Sequence, residues 1–283
     1  MLDIRKFFKI EDFLGAAHKY TFVKVLLPLV ILVLIGVAEY SSSPAVQLVL
    51  KPLPQNPVTV FPDFSKIVDV NEKKRQFLDY MQSFIDAENQ KIRTLRSNLF
   101  EIRENMGRGT LSVKETAEIA NLSETYRIDH ADLTIEDMIA ELLLRVDLIP
   151  VSMALAQAAN ESAWGTSRFT IEGNNVFGQW CYEKGCGIVP SRRISGAKHE
   201  VRYFDTVEKS VESYFLNINS HDSYAYLRDL RFKMRERGLK LDPMSLSIGL
   251  GRYSQRGAGY VDEIQKIIIQ NDLRERDVPS SQV

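Results

Sequence analysis

The hydrophobic and polar positions divide this chain into three parts of different character. The first contains an uncharged apolar run at residues 25–38, VLLPLVILVLIGVA. With its flanks the run extends over residues 21–40, about 20 residues, which span a bilayer if Lys24 reaches the interface. Basic residues precede the run, whereas only Lys51 follows in the next 25 residues. The positive-inside rule therefore predicts a cytoplasmic tail at residues 1–20, then a transmembrane helix, with the remainder beyond the membrane.

A cleaved signal peptide is the alternative interpretation of the same segment. Gly36-Val37-Ala38 provides a small-x-small cleavage pattern, and the wholly apolar run is short. The 24 residues before the run, however, are long for the basic region of a signal peptide. We favour the uncleaved anchor, which predicts a single-pass membrane protein.

The second part, residues 41–70, is rich in proline, which blocks helices and central strands and predicts a semi-extended spacer. From residue 71 onward apolar residues recur at helical spacing, which opens the third part. One apolar face of the first helix comprises Phe77, Tyr80, Met81, Phe84 and Ile85. We interpret residues 71–141 as a helical collar on a catalytic unit, because no clean coiled-coil seam accompanies the periodicity.

Breaks and caps divide this collar into separate helices. Gly107 ends the first helix. Ser112 followed by Glu115, and Thr134 followed by Asp137, match the capping box that starts a helix. Two further helices are therefore predicted to begin within the collar.

The stretch at residues 151–178 has the strongest chemical content. It begins as a helix, because Pro150 suits a first helical position and small apolar residues follow from Ala154 at helical spacing. Glu161 stands near the end of this run among small and apolar neighbours, and Gly165 is a helix stop. Desolvation raises the pKa of a carboxyl group, and a carboxyl that stays protonated near neutral pH can act as a general acid. A solvated charge at a helix end is the plainer alternative.

Composition and charge exclude several functional classes. The chain has 283 residues, 45% of them hydrophobic and 26% charged, which is typical of a globular protein of one or two domains. Its formal net charge of −1 gives no reason to expect nucleic-acid binding. The four histidines lack metal-ligand spacing, and two cysteines are too few soft ligands for structural zinc. We therefore expect no nucleic-acid partner, no metal and no cofactor.

Cys181 and Cys186 are the two cysteines of the chain and bracket a short loop. If the predicted topology is right, they face an oxidising compartment, where a disulfide is the natural state. A free dithiol is the alternative for a cytosolic chain.

The sequence AQAANESAWGTSRF, followed by GNNVFG, resembles the signature of the bacterial glucosaminidases of glycoside hydrolase family 73, which cut peptidoglycan. Ala163 stands where that family usually has Gly, and Val176 stands where it usually has Leu. The lead-in LLLRVDLIP, the paired cysteines and the segment VEKSVESYFLNINSHDSYAYLR are similar to the Bax-like subgroup. The resemblance extends from about Phe61 to Leu273.

The resemblance implies a mainly α fold, with a lysozyme-like helical catalytic domain at residues 142–275. A small β-lobe is expected within Ile188–Phe204, where short alternation also indicates a strand pair. The predicted collar helices and the N-terminal transmembrane helix would precede this domain. The implied substrate is the glycan strand of peptidoglycan. The implied location is the bacterial inner membrane, with the catalytic domain in the periplasm or outside.

The resemblance also assigns roles to individual residues. Glu161 becomes the general acid, and Glu200, in the strand-like segment, is a candidate second carboxylate; an exposed strand charge is the alternative for Glu200. The segment LGRYSQRGAGY carries two tyrosines that resemble a family motif, although it has one extra residue between them. Tyr260 is a catalytic candidate that could orient water or the acetamido group of the substrate. The remaining candidates are the substrate-binding residues Trp164, Asn174, Asn175, Phe177 and Tyr253.

Three functions remain open from the sequence. The first is hydrolysis of the β-1,4 bond after N-acetylglucosamine, with either a second carboxylate or the substrate's own acetamido group as the second catalytic group. The second is a lytic transglycosylase, which makes an anhydro-sugar with a single glutamate. The third is a membrane-anchored, non-enzymatic cell-wall scaffold that kept the fold. The intact Glu161 and its surrounding motif argue against the third. The Asn-Asn-Val-Phe-Gly segment and the two tyrosines favour the first over the second.

Overall fold

The computed structural model describes residues 59–191, 193 and 196–277. Every described residue belongs to one compact unit of the chain. The predicted cytoplasmic tail and transmembrane segment lie outside the described residues, as does most of the predicted spacer. Across the described part of the chain, no helix combines the length and the apolar character needed to cross a bilayer.

Helices dominate the described residues, and the expected mainly helical architecture with a small β element is confirmed. In chain order the α-helices are α1 (Val70–Gly107), α2 (Val113–Thr125), α3 (Ile135–Arg145), α4 (Val151–Glu161), α5 (Arg168–Gly173), α6 (Val207–Ser220), α7 (Ala225–Glu236), α8 (Pro243–Ser247) and α9 (Ala258–Gln270). The strands, all between α5 and α6, are β1 (Trp180–Cys181), β2 (Gly187–Ile188) and β3 (Glu200–Arg202). Short 3₁₀ turns occur at Phe64–Lys66, Asp222–Tyr224, Ile248–Leu250 and Leu273–Arg276.

Helix α1 is 38 residues long and contributes one long buried face to the core. It begins after Asp69, whose carboxylate accepts a hydrogen bond from the Glu72 backbone N–H at 2.7 Å. Its buried face includes most of the predicted one, namely Phe77, Met81, Phe84 and Ile85. This face packs on α4, α3 and α6 and belongs to the same hydrophobic core as those helices. The predicted collar and the predicted catalytic unit therefore share one core.

The predicted starts of the next two helices are confirmed. Ser112 accepts a hydrogen bond from the Glu115 backbone N–H, and the Glu115 carboxylate accepts one from the Ser112 backbone N–H at 2.8 Å. Thr134 and Asp137 make the same reciprocal pair. Each pair satisfies two backbone donors that a helix N-terminus leaves without intrahelical partners.

The three strands form a small antiparallel sheet in the order β1-β3-β2. Trp180 of β1 lies opposite Val201 of β3. The sheet begins at Trp180, before the predicted segment Ile188–Phe204. The reason is the confirmed disulfide between Cys181 and Cys186, which links the end of β1 to the residue before β2 and brings both strands onto β3.

A buried cluster of charges closes the C-terminal end of α3. Arg231 and Arg96 donate hydrogen bonds to the last backbone carbonyls of α3 and of the turn after it. Asp147 is buried beside them and forms an ion pair with Arg235 at 2.8 Å and longer pairs with Arg96 and Arg231. Positive charge suits this end of a helix, where the backbone dipole is negative. The cluster fastens α1 and α7 to the residues that lead into α4.

Candidate active site

Glu161 is the last residue of α4, a helix that is buried along nearly all of its length. The chain leaves this helix through a sharp turn in which Ala163, Trp164 and Gly165 have φ angles of 50°, 59° and 78°. A Cβ atom on Gly165 would lie 2.7 Å from the ring of Phe64, so the turn packs too closely for a larger residue. This turn ends the helix directly after Glu161 and leaves its carboxyl group at the edge of a cleft.

The cleft has a volume of about 850 Å³, within the usual range for ligand sites. Its walls come from the end of α4, the segment that leads into β1, the turn before α7 and the loop before α9. The lining residues are Glu161, Phe177, Gly178, Gln179, Trp180, Asn217, Ser223, Tyr224, Gly251, Arg252, Tyr253, Ser254, Gln255 and Arg256. Among the described residues that line the cleft, Glu161 is the one carboxylate.

Burial raises the pKa of Glu161 above its ordinary value. Hydrogen bonds from Tyr260 and Asn160, and the positive charge of Arg256, oppose this shift without cancelling it. The Asn160 side-chain amide donates to Glu161 Oε1 at 3.3 Å. A raised pKa keeps the carboxyl group protonated to higher pH, as a general acid requires. The structure therefore gives Glu161 both the exposure to a cleft and the electrostatics that the sequence predicted for it.

A buried chain of hydrogen bonds fixes the direction of the contact between Tyr260 and Glu161. The Tyr214 hydroxyl donates to Gln157 Oε1 at 2.6 Å, and Gln157 Nε2 donates to the Tyr260 hydroxyl oxygen at 2.9 Å. The Tyr260 hydroxyl accepts from Gln157, so its own proton is free for the Glu161 carboxyl group. Burial raises the pKa of Tyr260, which keeps this hydroxyl neutral. The Tyr260 hydroxyl therefore lies where it can donate to the Glu161 carboxyl group, and the catalytic role of Tyr260 stays a prediction.

Tyr253 and Phe177 both line the cleft, as predicted for substrate-binding residues. The Tyr253 hydroxyl donates to the Phe177 carbonyl oxygen at 2.9 Å, and its ring stacks on Tyr260 with centroids 5.3 Å apart. The Phe177 ring is buried and stacks on Tyr214 at 3.9 Å. These contacts hold the cleft floor rigidly, and they leave the oxygen of the Tyr253 hydroxyl able to accept one more hydrogen bond.

Asn174 and Asn175 build the turn after α5, and neither lines the cleft. Asn174 has a left-handed backbone, φ 51°, and its side-chain amide donates to the carbonyl of Phe204 at 3.0 Å. Asn175 accepts from the Gln179 backbone N–H at 3.0 Å and donates to the Arg202 carbonyl at 2.8 Å. Both side chains are buried. Their contacts support the structural alternative and give no geometric support to a substrate-binding role.

Trp164 does not line the cleft, although it is close to Glu161 in sequence. Its ring packs against Phe77 of α1 with centroids 6.0 Å apart, and the ammonium group of Lys74 lies 4.7 Å from the ring centre. The left-handed turn after Glu161 sends this side chain toward α1. The predicted substrate-binding role of Trp164 therefore has no support in its surroundings.

Glu200 is buried in β3 and does not line the cleft. Its carboxylate accepts hydrogen bonds from the backbone N–H of Gly185 at 3.1 Å and of Gly187 at 2.9 Å. These backbone hydrogen bonds hold the pKa of Glu200 below its ordinary value. The contacts indicate that Glu200 fastens the disulfide-closed loop to β3. Its role as a second catalytic carboxylate stays a prediction, without geometric support.

Sequence reasoning missed several residues of the cleft, chiefly Trp180 and Gln179. The Trp180 side chain is 50% exposed and stacks on the imidazole of His199 with centroids 4.3 Å apart. The side-chain amide of Gln179 is shielded from solvent and has no hydrogen-bond partner among the described residues. Trp180 faces outward because it alternates with the buried Cys181 in the short strand β1, and the sequence alone did not place a strand there.

Comparisons with known proteins identify the family of this chain. The family model described as mannosyl-glycoprotein endo-beta-N-acetylglucosaminidase matches residues 136–273, which include Glu161 and the whole cleft lining. Protein bax of Escherichia coli (strain K12) is 30% identical over 199 residues, which cover 70% of this chain and 70% of that protein. The catalytic domain of the autolysin Auto from Listeria monocytogenes matches with 15% identity and a TM-score of 0.39, covering 75% of this chain and 92% of that one. The family match and the similarity to Protein bax together show that the chain belongs to the Bax-like glucosaminidases and is a glycoside hydrolase.

Proposed function

We propose that this protein cleaves the β-1,4 bond after N-acetylglucosamine in peptidoglycan glycan strands, with Glu161 as the general acid. One observation carries the proposal: a carboxyl group whose pKa is raised by burial lies at the edge of a cleft of about 850 Å³. Such a group can give its proton to the leaving glycosidic oxygen. Tyr260 and Gln157 position the carboxyl group for this step.

The second catalytic role falls to the substrate in this proposal. Glycosidases commonly use a pair of carboxylates, but Glu161 is the one carboxylate among the described cleft residues. The Glu200 carboxylate already accepts hydrogen bonds from two backbone N–H groups, those of Gly185 and Gly187. The 2-acetamido group of N-acetylglucosamine can instead attack its own anomeric carbon, as in substrate-assisted glycosidases. Glu161, deprotonated after the first step, then activates the water that completes hydrolysis.

The presence of Glu161 as the one carboxylate among the described cleft residues also favours a second candidate function, that of a lytic transglycosylase. In that reaction Glu161 first protonates the leaving oxygen and then accepts a proton from a hydroxyl of the substrate itself. The hydroxyl closes an anhydro ring, and no water is consumed. The two reactions therefore give products that differ by one water per cleaved bond.

For the cellular setting we propose an inner-membrane anchor at residues 21–40, with the catalytic domain on the far side of the membrane. The disulfide between Cys181 and Cys186 supports this arrangement, because disulfides persist in oxidising compartments such as the periplasm. Protease added from the periplasmic side should digest the catalytic domain and spare the N-terminal tail. A mature protein that begins near Glu39 would support the cleaved signal peptide instead.

The chemical test uses purified peptidoglycan and mass analysis of the borohydride-reduced products. The proposed hydrolase gives reduced N-acetylglucosamine ends, whereas a lytic transglycosylase gives anhydro ends that resist reduction. Glu161→Gln should lower turnover by about 10²–10⁴-fold, the contribution of a positioned proton donor. Glu172→Gln is the matched control, because Glu172 is exposed and does not line the cleft.

The folded state of Glu161→Gln should be at least as stable as the parent above neutral pH. A raised pKa means that the folded protein disfavours the charged carboxylate, and glutamine removes that charge. A folded Glu161→Gln variant with normal turnover would overturn the assignment of the acid. No cleavage by the parent protein of any peptidoglycan would support the scaffold alternative.

A further inference from the structure

We propose that Trp180 is the stacking platform for one pyranose ring of the glycan strand, in the subsite next to the scissile bond. The inference rests on the proposed function, because it assumes that a glycan occupies the cleft. Trp180 lines the cleft together with Glu161, and half of its side chain is exposed. A tryptophan that lines a cleft offers a ligand a large apolar surface with a specific stacking geometry.

One face of the Trp180 ring is already covered. The imidazole of His199 stacks on it with centroids 4.3 Å apart and an angle of 15° between the planes. Because this face is occupied, the exposed half of the side chain includes the opposite face. A pyranose ring offers an apolar face of C–H groups with hydroxyls around its rim, which matches a flat aromatic surface bordered by polar residues.

The backbone holds the platform in place before any ligand arrives. Trp180 pairs with Val201 across the sheet, and the next residue, Cys181, forms the disulfide. Glu200 accepts hydrogen bonds from the backbone of the disulfide-closed loop and lies between Val201 and His199 in sequence. A rigid aromatic surface loses little conformational entropy when it binds, which favours affinity.

The chain path places this platform beside the acid. A Cβ atom built on Gly178 would lie 3.3 Å from Glu161 Oε2. Trp180 is two residues after Gly178, so the Cα atoms of Gly178 and Trp180 are at most about 7 Å apart. A sugar ring stacked on Trp180 would therefore be a direct neighbour of the bond that Glu161 protonates.

The two tryptophans of the chain make a direct test possible. Trp180 lies in the cleft, whereas Trp164 packs against Phe77 and Lys74 of α1. Tryptophan emission is measured in Glu161→Gln protein during titration with a soluble β-1,4-linked oligomer of N-acetylglucosamine. We expect a saturable change in emission that survives Trp164→Phe and disappears in Trp180→Phe.

Affinity and kinetics complete the test. Trp180→Ala should weaken oligomer binding by about tenfold, the upper range for an aromatic stacking contact. In otherwise active protein it should raise KM by a similar factor and change kcat much less. Trp180→Phe keeps a smaller ring, so its oligomer affinity and KM should lie between those of the parent and those of Trp180→Ala. This intermediate variant separates loss of stacking from loss of folding.

The outcomes separate this inference from the proposed function. If Trp180→Ala binds the oligomer and cleaves peptidoglycan with unchanged Kd and KM, or if the emission change follows Trp164, the platform is wrong. Absence of any emission change in the Glu161→Gln protein would overturn it as well. Unimpaired turnover by Glu161→Gln would instead remove the assigned acid, and would leave the binding result for Trp180 intact.

Discussion

Replacing Tyr260 by Phe removes a single hydroxyl group between the proposed acid and the buried residues below it. In the parent protein this hydroxyl donates to the Glu161 carboxyl group and accepts from Gln157 Nε2 at 2.9 Å. The phenyl ring of the variant can keep its stacking on Tyr253. The substitution therefore changes two hydrogen bonds and little else.

The effect on stability follows from the buried amide that loses its acceptor. Gln157 is fully buried, and an unsatisfied buried donor costs about 1–3 kcal/mol. At about 2–4 °C per kcal/mol for a domain of this size, Tm should fall by about 2–12 °C. Reversible thermal unfolding followed by circular dichroism measures this change.

The effect on activity has a definite sign in pH. The Tyr260 hydrogen bond lowers the pKa of Glu161 by stabilising the carboxylate, so removing it raises that pKa further. Glu161 then stays protonated to higher pH. The alkaline limb of the kcat/KM profile, which reports loss of the acid's proton in the free enzyme, should therefore move to higher pH.

Tyr253→Phe is the matched control for this experiment. It also removes a tyrosine hydroxyl from the same stacked pair, but that hydroxyl donates to the Phe177 carbonyl. We expect the alkaline limb to stay where it is in this variant. If Tyr260→Phe leaves the limb unmoved or shifts it to lower pH, the Tyr260 hydroxyl does not donate to Glu161.

Three further substitutions test the rest of the structure. Asp147→Asn should lower the free energy of unfolding by about 3–5 kcal/mol, because it leaves the buried Arg231 without its counter-charge; denaturant unfolding measures this, and a loss below 1 kcal/mol would refute it. Burial alone would raise the pKa of Asp147, but the arginine charges hold that pKa below its ordinary value. The contribution of Asp147 to the free energy of unfolding should therefore disappear as pH falls through this lowered pKa. Ala163→Gly should raise stability by about 0.5–1 kcal/mol, because φ is 50° there; a lower Tm would contradict this. Glu200→Gln should loosen the disulfide-closed loop in hydrogen exchange and lower kcat only mildly, whereas a loss as large as that of Glu161→Gln would restore it as a catalytic carboxylate.

Short-range features of this fold were predictable from the sequence. The capping boxes at Ser112 and Thr134 depend on residues three positions apart, and the buried stripe of α1 follows from helical periodicity. The disulfide was predictable because Cys181 and Cys186 have no other partner in the chain. These features depend on local spacing and composition, which a sequence displays directly.

Side-chain direction within the site was not predictable in the same way. Trp164 follows Glu161 closely in sequence, but two left-handed residues, Ala163 and Trp164 itself, turn it toward α1. Left-handed backbone is uncommon outside glycine, so the residue types at positions 163 and 164 did not predict this turn. Trp180 enters the cleft instead, because a strand pairing formed with β3 sets its direction.

The tight packing beneath Gly165 has a consequence for how this enzyme can be divided. The aromatic rings that contact this turn belong to Phe61, Phe64 and Phe77, and all three precede the family-matched segment 136–273. The side chains that support the end of helix α4 therefore lie outside the family-matched segment. A gene fragment that starts at residue 136 would encode Glu161, the proposed acid, without these three supporting rings. A truncated or transplanted form of this hydrolase should therefore keep the residues from Phe61 onward together with the family-matched segment.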